Sequence, residues 1–378
     1  MYAQDGLWAL LACLPCGHGS SHVHINGVDY EICKLLGEGG FSMVYLARDT
    51  QTGAMYALKK IRCQNGAESL REALAEIEAM RRFRGPHVLR LVDSAVLADQ
   101  AAASTLLGNV PSHDEESWRT NKVVYLVLPY FRNGNLQDAI HAHIVHGTHF
   151  DETRMLRLFL GACEAVQTMH EYRLPASHIE AAEPETKEDT LLFDADASDT
   201  YPPTEPMTSR PSTTRDGERV PYAHRDIKPA NIMIADDGST AVLMDFGSTI
   251  RARVSIANRR AAVAHQDLAA ERSSMPYRAP ELFDVKNDTT IDEQVDIWSL
   301  GCTLYAMAYL HSPFETPSTT EQGGSLALAI ANGAYKFPAD DPYSDAVRSI
   351  IRRCLAREPA ERPTIHTLIE EVRSALRL

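Results

Sequence analysis

Residues 222–247 read YAHRDIKPANIMIADDGSTAVLMDFG, and the reading of the whole chain starts there. Two short apolar runs, IMI and AVLM, flank the turn sequence DDGS, the pattern of a β-hairpin. A hairpin brings its two ends side by side, so Asp226 and Asn231 before it and Asp245 after it are expected to converge on one small volume. That grouping suits phosphoryl transfer, in which the protein positions an acceptor hydroxyl and neutralises phosphate charge with a metal. Asp226 would accept the hydroxyl proton, Asn231 and Asp245 would hold Mg2+, and Lys228 would lie near the transferred phosphate.

The order HRD, then an asparagine five residues after the aspartate, then DFG resembles the signature set of eukaryotic protein kinases. The resemblance implies an α+β, bilobal fold, with a small β-rich N-lobe carrying one main helix and a larger helical C-lobe. It implies ATP and Mg2+ as co-substrate and cofactor, and protein hydroxyls as acceptors.

Working outward, YEICKLLGEGGFSMVYLARD has a strand–turn–strand pattern with Gly37, Gly39 and Gly40 at the turn. Glycines there let backbone amides approach phosphate oxygens, although such a loop alone equally describes a plain hairpin. Leu36, Gly37, Glu38, Gly39, Gly40, Phe41, Ser42 and Val44 are the residues expected at the nucleotide. Ser42 stands where the kinase pattern has a third glycine. Downstream, Ala57 and Lys59 sit in the β-type run YALKK. Residues 68–83 read as an amphipathic helix carrying Glu72, Glu76 and Glu78. By kinase spacing Glu76 is the partner of Lys59 in orienting the phosphates, with Glu72, one turn earlier, the alternative. The strand VVYLVLPYF and the turn RNGNL resemble the hinge between lobes. Leu128, Tyr130, Phe131, Asn135 and Met233 complete the expected nucleotide contacts, while a buried strand and turn are the plain structural alternative.

After DFG, the run IANRRAAVAHQDLAAER lacks Gly and Pro and is Ala-rich, which predicts a helix of about four turns inside the presumed activation segment. Such a helix could be held by packing instead of a phosphate. Arg225 of HRD normally takes an acidic or phosphorylated counter-group, so Thr249, Ser255 and Ser273 stay open as phosphorylation sites. Ser274 stands where the kinases it resembles place a hydroxyl residue near the catalytic aspartate, and with Lys228 the resemblance implies Ser/Thr over Tyr acceptors. Asp296 is expected to anchor the catalytic-loop backbone. Glu281 and Arg362 are expected to form a buried ion pair, and Met80, Leu91, His224 and Phe246 an apolar column.

The bulk composition is ordinary for a globular enzyme, with 44% hydrophobic and 23% charged residues in 378. A net charge of −14 argues against sequence-independent nucleic-acid binding. Seven scattered cysteines suit reduced thiols in an intracellular protein. No run reaches the ~18 apolar residues of a spanning helix.

The expected domains are a tail over 1–27 and a kinase domain over 28–378, divided into an N-lobe (28–131) and a C-lobe (132–378). A loop insertion spans 98–121. Residues 174–220, rich in Pro, acids, Ser and Thr, have too little apolar surface to offset ordering entropy and read as a disordered acidic insertion. Regulatory phosphorylation, partner docking and an inert insertion are all open uses of it. In the tail, LWALLACLPC places Cys13 and Cys16 beside an apolar patch. Half a zinc site, an unmodified tail and S-palmitoylation are the three readings.

The motifs GEGGFS, HVLRL, YAHRDIKPAN, YRAPELF and IDEQVDIWSLGCTLYAM resemble the Numb-associated kinase group. They are most similar to its lipid-anchored branch, the myristoylated and palmitoylated Ser/Thr kinases of Golgi membranes and their fungal vacuole-membrane relatives. Tyr2 replaces the acylatable glycine, so an anchor would depend on Cys13 and Cys16. The resemblance thus implies cytoplasmic and peripheral endomembrane (vacuolar or Golgi) locations. Two other functions compete with an active protein kinase. A pseudokinase-like scaffold would show a degraded catalytic set, from which only Ser42 departs, and a small-molecule kinase would lack the peptide-docking end at Arg278–Glu281.

Overall fold

The computed structural model describes residues 21–39, 42–64, 66–98, 122–174, 217–315 and 325–377. Cys13, Cys16, Gly40, Phe41 and most of the two insertions lie outside the described residues. The chain divides into two compact units, one of the residues up to Gln64 with Val92–Tyr130, the other of Asn65–Leu91 with the rest from Phe131.

The first unit is one antiparallel sheet of six strands: β1 (His22–Ile25), β2 (Val28–Glu38), β3 (Ser42–Asp49), β4 (Met55–Cys63), β5 (Asp93–Ala98) and β6 (Lys122–Pro129). Their order across the sheet is β1-β2-β3-β4-β6-β5. Ile25, Tyr30, Ala47, Leu58, Val123 and Val127 close one face into a core. β4 lies between β3 and β6, so its side chains alternate between the two faces with strand periodicity.

In the second unit the main helices are α1 (Ala67–Arg82), α2 (Leu136–His146), α3 (Glu152–His170), α4 (Arg259–Arg272), α5 (Gln294–Tyr309), α6 (Leu326–Ala331), α7 (Asp345–Cys354) and α8 (Ile365–Ala375). α5 is buried along its whole length from Val295 to Tyr309, as a helix apolar all round must be. The short strands β7 (Tyr222–Ala223), β8 (Ile232–Ile234), β9 (Ala241–Leu243) and β10 (Ile250–Arg251) carry the stretch quoted above. β8 and β9 pair as the expected hairpin, Ile232 opposite Leu243. Its turn is locked by the Asp237 carboxylate, which accepts from Ser239 N, Thr240 N and Thr240 Oγ1 at 2.8, 2.9 and 2.6 Å.

Three boundaries differ from those read in the sequence. The sheet begins at His22, not Val28, because HVHI pairs with the strand after the Asn26–Gly27 turn. Ala98, taken as loop, ends β5 opposite Lys122. Leu174 and residues 217–220 form a stem: Leu174 N donates to Glu218 O at 3.1 Å, and Val220 N to Tyr172 O at 2.9 Å. α1, expected in the N-lobe, groups by contact with the second unit, where it packs on the Phe246–Ser248 turn.

Candidate active site

In the sheet, Val44 lies opposite Lys59 and Leu128 opposite Ala57. Directly paired residues share a face, and so do positions two apart, so these four expected nucleotide residues stand together on one face. The turn before Val44 is tight: Gly39 N donates to Ser42 O at 2.7 Å, and a Cβ on Gly39 would sit 3.0 Å from Ser42 Oγ. The serine in the third-glycine position is thus accommodated by the glycine beside it.

The helical unit assembles the polar residues. Asp226 follows a backbone held by Asp296, which is fully buried. Asp296 Oδ2 accepts His224 N at 2.8 Å, and Oδ1 accepts Arg225 N at 2.9 Å. His170 Nε2 donates to Oδ2 at 3.0 Å. Burial alone would push this carboxyl up, but the His170 hydrogen bond and charge, with His224 and the Arg225 amide, leave it below the usual carboxylate range. His170 was not foreseen; a histidine closing an apolar helix carries no signal of a partner 126 residues away. The His224 ring bridges the two ends of the hairpin, with Nδ1 accepting Asp226 N at 3.3 Å and Nε2 donating to Met244 O at 3.0 Å.

Around the Asp226 carboxylate the contacts are close. Lys228 Nζ donates to Asp226 Oδ2 and to Ser274 Oγ, both at 2.7 Å, while Ser274 N donates to Asp226 Oδ1 at 2.9 Å. Asn231 Nδ2 donates to Asp226 O at 2.8 Å and to Oδ2 at 3.1 Å. Its amide nitrogen is thereby committed, which leaves Asn231 Oδ1 as a hard oxygen donor. Asp245 adopts a left-handed backbone, φ 63° and ψ 75°, a conformation that costs free energy in a non-glycine residue and clusters at functional sites. Gly247 lies between carboxylates: a Cβ built there would be 3.5 Å from Asp245 Oδ1 and 3.9 Å from Glu76 Oε2. Glu76 is buried, whereas Glu72 is about half exposed and pairs with Arg272 of α4. An all-oxygen donor set of one amide and one carboxylate suits Mg2+, which keeps most of its shell as water and phosphate.

Other expected residues are placed as follows. Asn135 and Met233 form an antiparallel bridge. Asn135 Oδ1 caps α2 by accepting Asp138 N at 2.9 Å. His224 and Phe246 meet edge to face at 5.4 Å and are buried with Met80. Glu281 and Arg362 form a two-bond pair at 2.7 and 2.8 Å with the arginine side chain fully buried.

The activation segment is helical over Arg259–Arg272, beginning three residues later than the Ala-rich run because Asn258 Oδ1 caps Ala261 N. Ala262, His265 and Ala269 form its buried face. Ser248 Oγ donates to Arg272 O at 2.6 Å, tying the helix end to the DFG turn. Arg225 is buried, and its Nε and Nη2 have no hydrogen-bond partner among the described residues. Burial draws the guanidinium pKa down, against the charges of Asp296 and Glu281. Thr249 is also buried, Ser255 is exposed, and Ser273 Oγ is engaged by Arg278 at 2.8 Å.

Comparison with known proteins gives a match to the protein kinase domain over residues 30–176 and 220–372. The chain is 36% identical to serine/threonine-protein kinase ppk13 of Schizosaccharomyces pombe, covering 93% of this chain and 91% of that protein. It is 32% identical to serine/threonine-protein kinase ENV7 of Saccharomyces cerevisiae, covering 94% of each. Human serine/threonine-protein kinase 16 is 31% identical, over 96% of this chain and 94% of that protein. The β-rich N-terminal region and the helical C-terminal part are those of the bilobal kinase fold, and the chain belongs to the protein kinase domain family as a serine/threonine-protein kinase, an enzyme class that uses ATP and Mg2+.

Proposed function

We propose that Asp226 is the catalytic base and that Asn231 and Asp245 hold the magnesium in this kinase. The observation that carries the reading is the Asp226 environment. Its carboxylate is oriented by Lys228, Asn231 and the Ser274 amide, and none of these groups can accept the proton of an acceptor hydroxyl in its place. One oxygen of the Asp226 carboxylate thus receives the hydroxyl proton, Lys228 Nζ balances charge beside it, and Ser274 fixes the lysine. Glu76, beside Gly247, orients Lys59, and the face of Val44, Ala57, Lys59 and Leu128 receives the nucleotide together with Leu36–Ser42, Tyr130, Phe131, Asn135 and Met233. Magnesium held by Asn231 and Asp245 would neutralise phosphate charge.

The test is phosphate transfer to a Ser/Thr protein substrate by the purified chain. A positioned general base contributes about 10²–10⁴ in rate, so Asp226→Ala should lose that factor. Wild-type activity no higher than that of Asp245→Ala would overturn the assignment.

The second part of the proposal is location at an endomembrane, vacuolar or Golgi, through acylated Cys13 and Cys16. The support is the apolar LWALLACLPC run around both thiols. No helix among the described residues is long and apolar enough to cross a membrane. Replacing both cysteines by serine should move membrane-bound protein to the soluble fraction; unchanged fractionation would refute the anchor.

A further inference from the structure

The C-terminal end of α1 is held by an aromatic cage that the kinase motifs do not account for. The Arg82 side chain is 17% exposed and lies over the Tyr172 ring at 5.6 Å and the Tyr222 ring at 5.1 Å. Its Nη1 donates to Tyr222 Oη and its Nη2 to Glu78 Oε1, so two hydrogen bonds fix the plane of the guanidinium. Phe83, the next residue, meets Tyr172 at 5.6 Å, Tyr222 at 5.3 Å and Phe246 of DFG at 6.2 Å.

These contacts join three segments. Arg82 is six residues after Glu76 on one helix, and a helix is stiff over that distance of about 9 Å. Tyr222 opens the catalytic loop, two residues before His224. Tyr172 lies at the stem of the 174–220 insertion, where its carbonyl accepts Val220 N at 2.9 Å. A cation close to an aromatic ring and largely removed from water is attracted to it, and the Tyr172 and Tyr222 rings, themselves edge to face at 5.7 Å, both lie within that reach of Arg82. An arginine serves here because its planar fork donates in two fixed directions at once, to Tyr222 Oη and Glu78 Oε1, which a lysine does not match.

We propose that Arg82 is a positioning residue: packed against Tyr172 and Tyr222, it holds the helix that presents Glu76, so the stem of the insertion bears on the rate of phosphoryl transfer. The inference rests on the role of Glu76 proposed above. The Glu76 carboxylate sits beside Gly247, next to the Phe246 ring that Phe83 stacks on, so freeing the helix end would move carboxylate and DFG turn together.

The test is a kinetic cycle in the full chain with Arg82→Gln, Glu76→Gln and the double variant, measuring kcat and the KM for ATP and for a peptide. Arg82→Gln should lower kcat/KM for ATP about tenfold, equivalent to about 1.4 kcal/mol of lost cation–ring attraction, with the peptide KM unchanged. In the double variant Arg82→Gln should add nothing to Glu76→Gln. Tyr172→Leu, which removes only the stem-side ring, should reproduce part of the loss and be non-additive with Arg82→Gln. Arg82→Lys, which keeps the charge but not the plane, should fall between. An effect of Arg82→Gln that multiplies with Glu76→Gln, or that appears equally in the peptide KM, would overturn the positioning role. A Glu76→Gln variant as active as wild type would overturn the reading of Glu76, and this inference with it.

Discussion

Replacing Asp296 by asparagine tests the frame beneath the catalytic loop. The carboxylate is fully buried and accepts from His224 N, His170 Nε2 and Arg225 N, two bonds on Oδ2 and one on Oδ1. Asparagine keeps one oxygen. Set toward His224 and His170, it leaves an NH2 facing the Arg225 N–H, donor against donor. The orphaned buried amide costs about 1–3 kcal/mol, and the two remaining bonds lose their charge assistance, about 1 kcal/mol each. The Arg225 guanidinium also loses a neighbouring negative charge, while removing a buried charge offsets part of the total. The expected loss is about 3–4 kcal/mol, with the catalytic loop the first part to loosen. Urea unfolding gives the stability, and kcat of the folded variant at low temperature gives the functional share. A loss below about 1 kcal/mol with unchanged kcat would refute the claim that Asp296 organises the loop. His170→Ala, which removes one donor and keeps the other two, should cost less than Asp296→Asn; the reverse order would place the stabilisation in the histidine.

Other outcomes follow from the same geometry. Gly161→Ala should destabilise by about 1–3 kcal/mol, read as a lowered thermal midpoint, because the new Cβ would lie 2.7 Å from His87 Nδ1, itself held by Ala241 O at 2.8 Å. Ala262→Pro removes the first intrahelical bond of α4, Ala262 N to Asn258 O at 3.0 Å. It should cost about 3 kcal/mol locally and lower activity, with new protease cleavage in the activation segment. Asp237 should titrate at about 2 by NMR, since the Thr240 hydroxyl and the Ser239 and Thr240 amides all bond to its ionised form. A lowered folded pKa stabilises above the unfolded value near 3.8, and that contribution disappears as pH falls from there through about 2. Thr240→Ala should bring the midpoint back up toward the ordinary value.

Much of the site could be read because its parts are close in sequence. Asp226, Asn231 and Asp245 sit on one hairpin, and Ala57 and Lys59 share a strand face by simple alternation. The helix in the activation segment was visible as a run of strong helix formers, though its start depended on a cap at Asn258. What stayed hidden pairs residues far apart. Arg272 and Glu72 are 200 positions from each other and Arg82 and Tyr222 are 140 apart. Each of those residues looks like an ordinary surface charge or a core ring until its partner is in place. β1 was missed for a similar reason, since HVHI is too short to announce a strand without the neighbour it pairs with.

The stem at Leu174 and Val220 also makes the chain open to construction. Its two strands are tied by main-chain bonds at 3.1 and 2.9 Å, and Arg173 Nη1 adds a bond to Gly217 O at 2.7 Å. The ends of whatever joins them are therefore already side by side, and doubling the length of the joining segment costs only about 0.6 kcal/mol. A fluorescent domain or an affinity module with neighbouring termini could be spliced in between positions 174 and 217 as a cassette, leaving the register of the stem untouched. The same port would let a ligand-gated module be wired in next to the catalytic loop, turning the enzyme into a switchable reagent.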